Sequence, residues 1–181
     1  MYFAKEVLKD RGDTIKGKII VLSGYGNVSW GVCLKARQLE AKVISISGRD
    51  DYVHDPEGID TDDEINFLLR IRAHNDVKLE DYAKKFGAKF YPKEKTWKLK
   101  GDIAFPCATQ NEIGLEEAKV LASNGIKYAF EGANSPTTPR AMEYFKNNGV
   151  ILGPAIAPNA GGVTLLFNIY GTFRWTIEIK L

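Results

Sequence analysis

Residues 18–32 read KIIVLSGYGNVSWGV, an apolar run that breaks at Gly24 and Gly26 and then resumes with helical spacing. A short apolar segment closed by glycine predicts a buried strand over residues 19–23 and a helix over residues 27–39. Between the two, losing side chains brings two gains. Gly24 allows a tight turn, and Gly26 lets a ligand approach the main chain with no Cβ in the way. The third small position of the G-x-G-x-x-G/A pattern falls on Ser29, where close helix-to-strand packing needs a small residue. The N–H groups at the start of the helix favour an anion, so the pattern implies the pyrophosphate of a dinucleotide. The plain alternative is a tight turn in a sheet that binds nothing.

The pattern repeats outward from this turn. Tyr2, Phe3, Ala4, Val7 and Leu8 share a helical face that Gly12 can end. Residues 43–47 predict a second strand. Thr61 and Glu64 have the spacing of a capping box ahead of a helix carrying Ile65, Leu68, Leu69 and Arg72. A helix over 79–86 should stop at Gly87, and a short strand over 88–92 at Pro92. Strands are expected in DIAFPCA (102–108), KYAFEGAN (127–134) and VILGPA (150–155). A helix over 115–124 should close at Gly125 in the left-handed conformation, and one over 139–148 at Gly149. Apolar strands without polar alternation need cover on both faces, and crossover helices supply it. The expected fold is α/β, a doubly wound, mostly parallel sheet of the Rossmann dinucleotide-binding type.

Composition narrows the classes. A formal net charge of +2 over 181 residues gives no reason to expect a nucleic-acid or membrane partner. Cys33 and Cys107 lie far apart without metal-ligand spacing, which suits reduced thiols in a cytoplasmic protein. The first residues carry acidic side chains and no apolar core of a signal peptide. Segment 51–64, DYVHDPEGIDTDDE, lacks calcium-loop spacing and reads as a solvated loop. His54 and His74 have no partner ligand nearby in sequence and read as surface residues. FYPKEKTWKLK (90–100) reads as an exposed loop, and Cys107 as packed beside a pocket rather than as a nucleophile.

The end of the second strand bears on which dinucleotide is bound. An acidic residue there would bond the ribose 2′-hydroxyl and repel a 2′-phosphate. The chain has Ser47-Gly48-Arg49 instead. A hydroxyl and a forked guanidinium suit a phosphate and favour NADP. NAD remains the alternative, with Asp50 or Asp51 turned to the hydroxyl.

Five segments, in order, carry a resemblance. SGYGNVSWG, SISGRDDYVHDPEGID, DIAFPCATQNEI, YAFEGANSPTT and PNAGGV resemble the coenzyme-binding domain of hexameric glutamate dehydrogenases, most of all the NADP-linked form. The match runs from about Tyr2 to Val163. It implies that Gly24, Gly26, Asn27 and Val28 hold the pyrophosphate and adjacent ribose, and that Ser47 meets the adenosine ribose phosphate, beside the Arg49 already read as a phosphate partner. It places Ala108, Thr109 and Gln110, then Gly132, Ala133 and Asn134, along the cofactor, with Asn159 at the nicotinamide. It implies L-glutamate and 2-oxoglutarate as substrates and a homo-oligomeric parent enzyme.

The resemblance also marks what is missing. The family's proton-handling lysine and aspartate, and the lysines that hold substrate carboxylates, belong to a substrate domain N-terminal to the matched region. No catalytic residue is assigned to this chain. After Gly162 the text VTLLFNIYGTFRWTIEIKL departs from the family, Thr164 being a stand-in for a substrate-contacting serine. The expected organisation is a dinucleotide-binding domain over 1–163 and a divergent tail over 164–181, the chain binding cofactor without turning over glutamate. Two rivals stand beside this reading: a non-catalytic dinucleotide-binding module, and a methyltransferase-like fold using another adenosyl cofactor.

Overall fold

A computed structural model describes residues 1–74 and 76–154. The expectations for Asn159, Thr164 and the 164–181 tail lie outside the described residues. Five parallel strands form the main sheet: β1 (Ile19–Leu22), β2 (Lys42–Val43), β6 (Ile103–Phe105), β7 (Tyr128–Phe130) and β8 (Ile151–Gly153), in the order β2-β1-β6-β7-β8. The registers Val21↔Ala104 and Ala104↔Ala129 run through its centre.

Side chains on these strands alternate between two cores. Ile20, Leu22, Ile103, Phe105, Tyr128 and Phe130 join one cluster, whose helical cover comes from Ala4 and Leu8 of α1 (Tyr2–Asp10) and Val32, Cys33 and Ala36 of α2 (Asn27–Gln38). Val21, Ala104 and Ala129 join the other. It is covered by Ala118 and Leu121 of α5 (Leu115–Ser123) and by Ala141 and Phe145 of α6 (Pro139–Asn147). Both faces of the sheet are therefore dry, which is why the strands read as unbroken apolar runs.

The helix signals hold. Glu64 N–H donates to Thr61 Oγ1 at 3.2 Å, and Thr61 N–H donates back to Glu64 Oε2 at 2.9 Å, a complete capping box at the start of α3 (Asp62–Ala73). Gly87 ends α4 (Leu79–Phe86) at φ +73°.

Three local expectations are corrected. The second strand splits: Lys42–Val43 stays in the parallel sheet, while Ser45–Ser47 turns away as β3 into a separate antiparallel sheet. Its partner, β4 (Asp51–His54), lies in the acidic stretch expected as a solvated loop. Tyr52 and Val53 are buried, and Asp55 beyond them is 5% exposed. Carboxylate density masked a short strand whose apolar residues are few. The third strand, β5 (Lys89–Pro92), stands where a strand was expected, but beyond it the segment expected as an exposed loop forms a turn of 3₁₀ helix that buries Trp97 to 2% exposure. Trp97 joins the α5–α6 cluster together with Ile44, the residue at which the second strand leaves the sheet.

Candidate functional site

The chain runs from β1 to β2 on one side and later returns to place β6 on the other side of β1. At such a reversal the loops leaving neighbouring strands diverge and open a crevice at the carboxyl ends of the strands. A cleft of about 290 Å³ lies there, lined by Gly24 and Gly26 after β1, Ser47 at the end of β3 and Arg49 beyond it, and Ala108 and Thr109 after β6.

The two glycines serve different ends. Gly24 sits at φ +83°, and a Cβ on it would come 2.7 Å from Ser29 Oγ and 2.9 Å from the Cys107 carbonyl oxygen. The turn therefore needs glycine for its own packing. Gly26 sits at φ −77° as the N-cap of α2, and a Cβ on it would meet nothing within 4 Å. With no side chain at the cap, no side-chain oxygen closes the first turn of α2. Ser29 is fully buried, and its hydroxyl donates to the Ser23 carbonyl at 3.1 Å, so the third small position is a packing position as expected.

Ser47 is built into the turn. Where β3 leaves the parallel sheet, two serine hydroxyls replace the missing ladder: Leu22 N–H donates to Ser45 Oγ at 3.0 Å, and Gly24 N–H to Ser47 Oγ at 3.1 Å. Both serines are buried, with Ser47 5% exposed. Arg49 and Asp50 are exposed beside it. Both line an adjoining cavity of about 420 Å³ together with Tyr25, Asp51, His74 and Lys78. Burial raises the Asp51 carboxyl above the usual carboxylate range.

The remaining expected residues divide. Gly132 and Ala133 both donate N–H to the Pro106 carbonyl at 2.9 Å, which docks the loop after β7 onto the loop after β6. Gly132 packs against Cys107 and Val28 and has no room for a side chain. Val28 and Gly132 also line a third cavity, of about 360 Å³, shared with Tyr2 and Phe105. Asn27 accepts a hydrogen bond from Arg72. Gln110 and Asn134 are exposed on their loops and do not line the 290 Å³ cleft.

Cys107 is buried in the cleft wall, and burial pushes its thiol upward, away from nucleophilic character. His74 is exposed, whereas His54 is half-buried on β4. Among the described residues no His, Cys, Asp or Glu cluster can hold a metal ion. No described helix is long and apolar enough to cross a membrane.

Sequence reasoning missed two contributors. Tyr25, the residue between the glycines, lines both the 290 Å³ cleft and the 420 Å³ cavity. Glu112 accepts N–H bonds from Ala108 at 3.0 Å and Thr109 at 3.3 Å. The spacing of a carboxylate three and four residues after two loop amides was the available signal.

Comparison with known proteins agrees with this geometry. Residues 1–167 match the family model described as Glutamate/Leucine/Phenylalanine/Valine dehydrogenase. The NAD-specific glutamate dehydrogenase of Clostridium symbiosum is 46% identical over 164 residues, covering 90% of this chain and 36% of that protein. The NADP-specific enzyme of Haemophilus influenzae is 42% identical over 163 residues, again 90% of this chain and 36% of the relative. A solved glutamate dehydrogenase superposes with a TM-score of 0.86 at 46% identity, covering 90% of this chain and 36% of its own. That of Plasmodium falciparum gives 0.85 at 38%, covering 91% and 35%. The chain thus spans about 36% of the length of the curated relatives it matches. With a family model matching nearly its whole length, the chain belongs to the Glutamate/Leucine/Phenylalanine/Valine dehydrogenase family.

Proposed function

We propose that the chain is the coenzyme-binding part of a glutamate dehydrogenase and binds a nicotinamide dinucleotide in the 290 Å³ cleft. The observation that carries this is the meeting of the Gly24–Gly26 turn, the end of β3 and the Ala108–Thr109 loop at one reversal of strand order. The open space at Gly26 and the uncapped first turn of α2 fit a pyrophosphate, which needs close backbone approach and N–H donors. Gly24, Gly26, Asn27 and Val28 would hold it. Gln110, Ala133, Asn134 and Asn159 would continue the wall toward the nicotinamide, Asn159 on the strength of the resemblance alone. The bound dinucleotide supplies hydride chemistry, and the chain's residues supply its position.

In the longer protein the reaction would be L-glutamate + NADP⁺ + H₂O ⇌ 2-oxoglutarate + NH₄⁺ + NADPH + H⁺. Groups that clamp the two substrate carboxylates and move protons are assigned to the part of the relatives that this chain does not span. A positioned acid–base group contributes about 10²–10⁴-fold. The chain alone is expected to bind dinucleotide without oxidising glutamate.

Preference for NADP rests on Arg49, with Lys78 lining the same cavity. NAD is the second reading. Asp50 and Asp51 line that cavity too, cancelling the formal charge of Arg49 and Lys78, and Ser47 is only 5% exposed.

Fluorescence titration with NADPH and NADH tests both levels. Gly26→Val should keep its circular dichroism and lose dinucleotide binding, since the branched side chain enters space that is open in the fold. Parental affinity in a folded Gly26→Val would remove the glycine turn as the phosphate site. Arg49→Ala should weaken NADPH selectively by about 1.5–3 kcal/mol, the range for hydrogen bonds to charged groups. An equal loss for both cofactors, or none, selects NAD.

A further inference from the structure

Beyond β6 the chain has no strand neighbour, yet three successive amides are satisfied by side chains. Pro106 has no N–H to continue the ladder. Cys107 N–H donates to Ser23 Oγ at 2.9 Å. Ala108 and Thr109 N–H both donate to one oxygen of Glu112, at 3.0 and 3.3 Å. Asn111, at φ +56°, bends the loop so that Glu112 returns to the amides before it. The same loop is fastened from its other side: Asn111 N–H donates to the Ser135 carbonyl at 3.0 Å and Ile113 N–H to the Pro136 carbonyl at 2.9 Å.

Ser23 joins this lip to the glycine turn. It directly precedes Gly24, accepts from Cys107, and its own hydroxyl lies beside the Glu112 carboxylate. Its carbonyl accepts from Ser29 of α2. Glu112 faces a chamber of about 30 Å³ behind the lip, where Thr96 and Trp97 form part of the wall. Burial raises its pKa, against the opposing pull of Ser23, the two amides and Lys95. One oxygen of the carboxylate accepts both lip amides and leaves the other for the Ser23 hydroxyl, whereas a glutamine amide would keep only the first acceptor.

We propose that Glu112 is the positioning residue of the cleft, holding the 107–109 lip in register with the Gly24 turn through the two lip amides and Ser23. Its effect on affinity rests on the dinucleotide reading above; its hold on the lip does not.

The test uses the 181-residue chain with Glu112→Ala and Glu112→Gln, and reads amide hydrogen exchange by NMR beside a dinucleotide titration. Glu112→Ala should speed exchange at Ala108 and Thr109 about tenfold or more, the scale of an unmade hydrogen bond, with Val21 and Ala129 in the sheet unchanged. It should weaken dinucleotide binding by about tenfold. Glu112→Gln, which keeps an acceptor oxygen, should recover most of both effects. If Glu112→Ala does not fold, the Gln variant carries the test, with a smaller loosening at the same two amides. Unchanged exchange at Ala108 and Thr109 overturns the proposal, as does a loosened lip with parental affinity. Should the parent bind neither dinucleotide, the cofactor reading fails. The exchange arm then decides alone: loosening sustains Glu112 as the anchor of the lip, and no change removes it.

Discussion

The two ends of β1 solve one problem with different chemistry. At each end a strand N–H lacks a backbone acceptor and takes a side-chain oxygen. At the base, Ile19 N–H donates to the Asp102 carboxylate at 2.8 Å. Nearby, Lys18 pairs with Asp13 at 2.9 Å, and the Tyr128 hydroxyl donates to Asp13 at 3.1 Å. At the top, Leu22 and Gly24 use the buried hydroxyls of Ser45 and Ser47. Ile19 at the base is 38% exposed, so water shares the cost of keeping charge there. Charge at the top would have to be desolvated. On the proposed reading, a carboxylate at Ser47 would also repel the dinucleotide's phosphates. The comparison teaches that one strand can meet the same need with a carboxylate where its end is wet and with hydroxyls where its end is buried.

The comparison is easiest to break at Gly24. Gly24→Ala places a Cβ at a left-handed backbone position against Ser29 and the Cys107 carbonyl. Conformational strain and overpacking together predict a loss of about 2–4 kcal/mol, read by urea unfolding. A loss below about 1 kcal/mol would mean that the turn relaxes freely and the top is less constrained than argued. Ser47→Ala comes next. It strands the buried Gly24 N–H and should cost about 1–3 kcal/mol. Asp102→Asn keeps an acceptor oxygen for Ile19 N–H in wetter surroundings and should cost under about 1 kcal/mol. If Asp102→Asn proved as damaging as Ser47→Ala, the contrast between the ends would collapse.

The smallest effect is in pH. Asp13 is held below its ordinary pKa, first by Lys18 and then by the Thr14 N–H. Its folded pKa is depressed, so its contribution is present above the unfolded value of about 3.9 and is lost as pH falls through the folded one. Lys18 is raised by the same partner, so its share is present below about 10.4 and is lost as pH rises through the folded value. Stability of the parent relative to Asp13→Asn should therefore fall in acid, below about pH 4. The same comparison with Ser47→Ala should be flat there, because a hydroxyl does not titrate. A flat difference for Asp13→Asn would show that the pair at the base contributes nothing.

Legibility in the sequence followed distance along the chain. The capping box at Thr61–Glu64, the helix-ending glycines at 87, 125 and 149, and the tight turn at Gly24 concern neighbours within a few residues, and all stand as expected. The sheet's two dry faces were legible because strand residues alternate regularly between two clusters. The acidic strand Asp51–His54 was hidden because its pairing with residues 45–47 and 89–92 decides it, while local composition favours a loop. Trp97 read as exposed among lysines because the residues that cover it, Ile44 and those of the α5–α6 cluster, lie far from it in sequence.

What the sequence by itself determined is the grammar of the fold: which segments are helices, where glycine ends them, and that the first strand runs through a glycine turn into a helix. Those are short-range matters of sterics, capping and hydrophobic period, and nothing beyond a few residues alters them. Tertiary structure alone decided what the site is made of. It made Ser47 Oγ the acceptor for Gly24 N–H, and it turned Glu112 back onto Ala108 and Thr109. It also sent Gln110 and Asn134 out to the surface of their loops. A hydroxyl or carboxylate has the same donors and acceptors wherever it stands in a chain. Its task is set by which backbone groups the packed elements leave unpaired beside it, and that exists only once the strands have met.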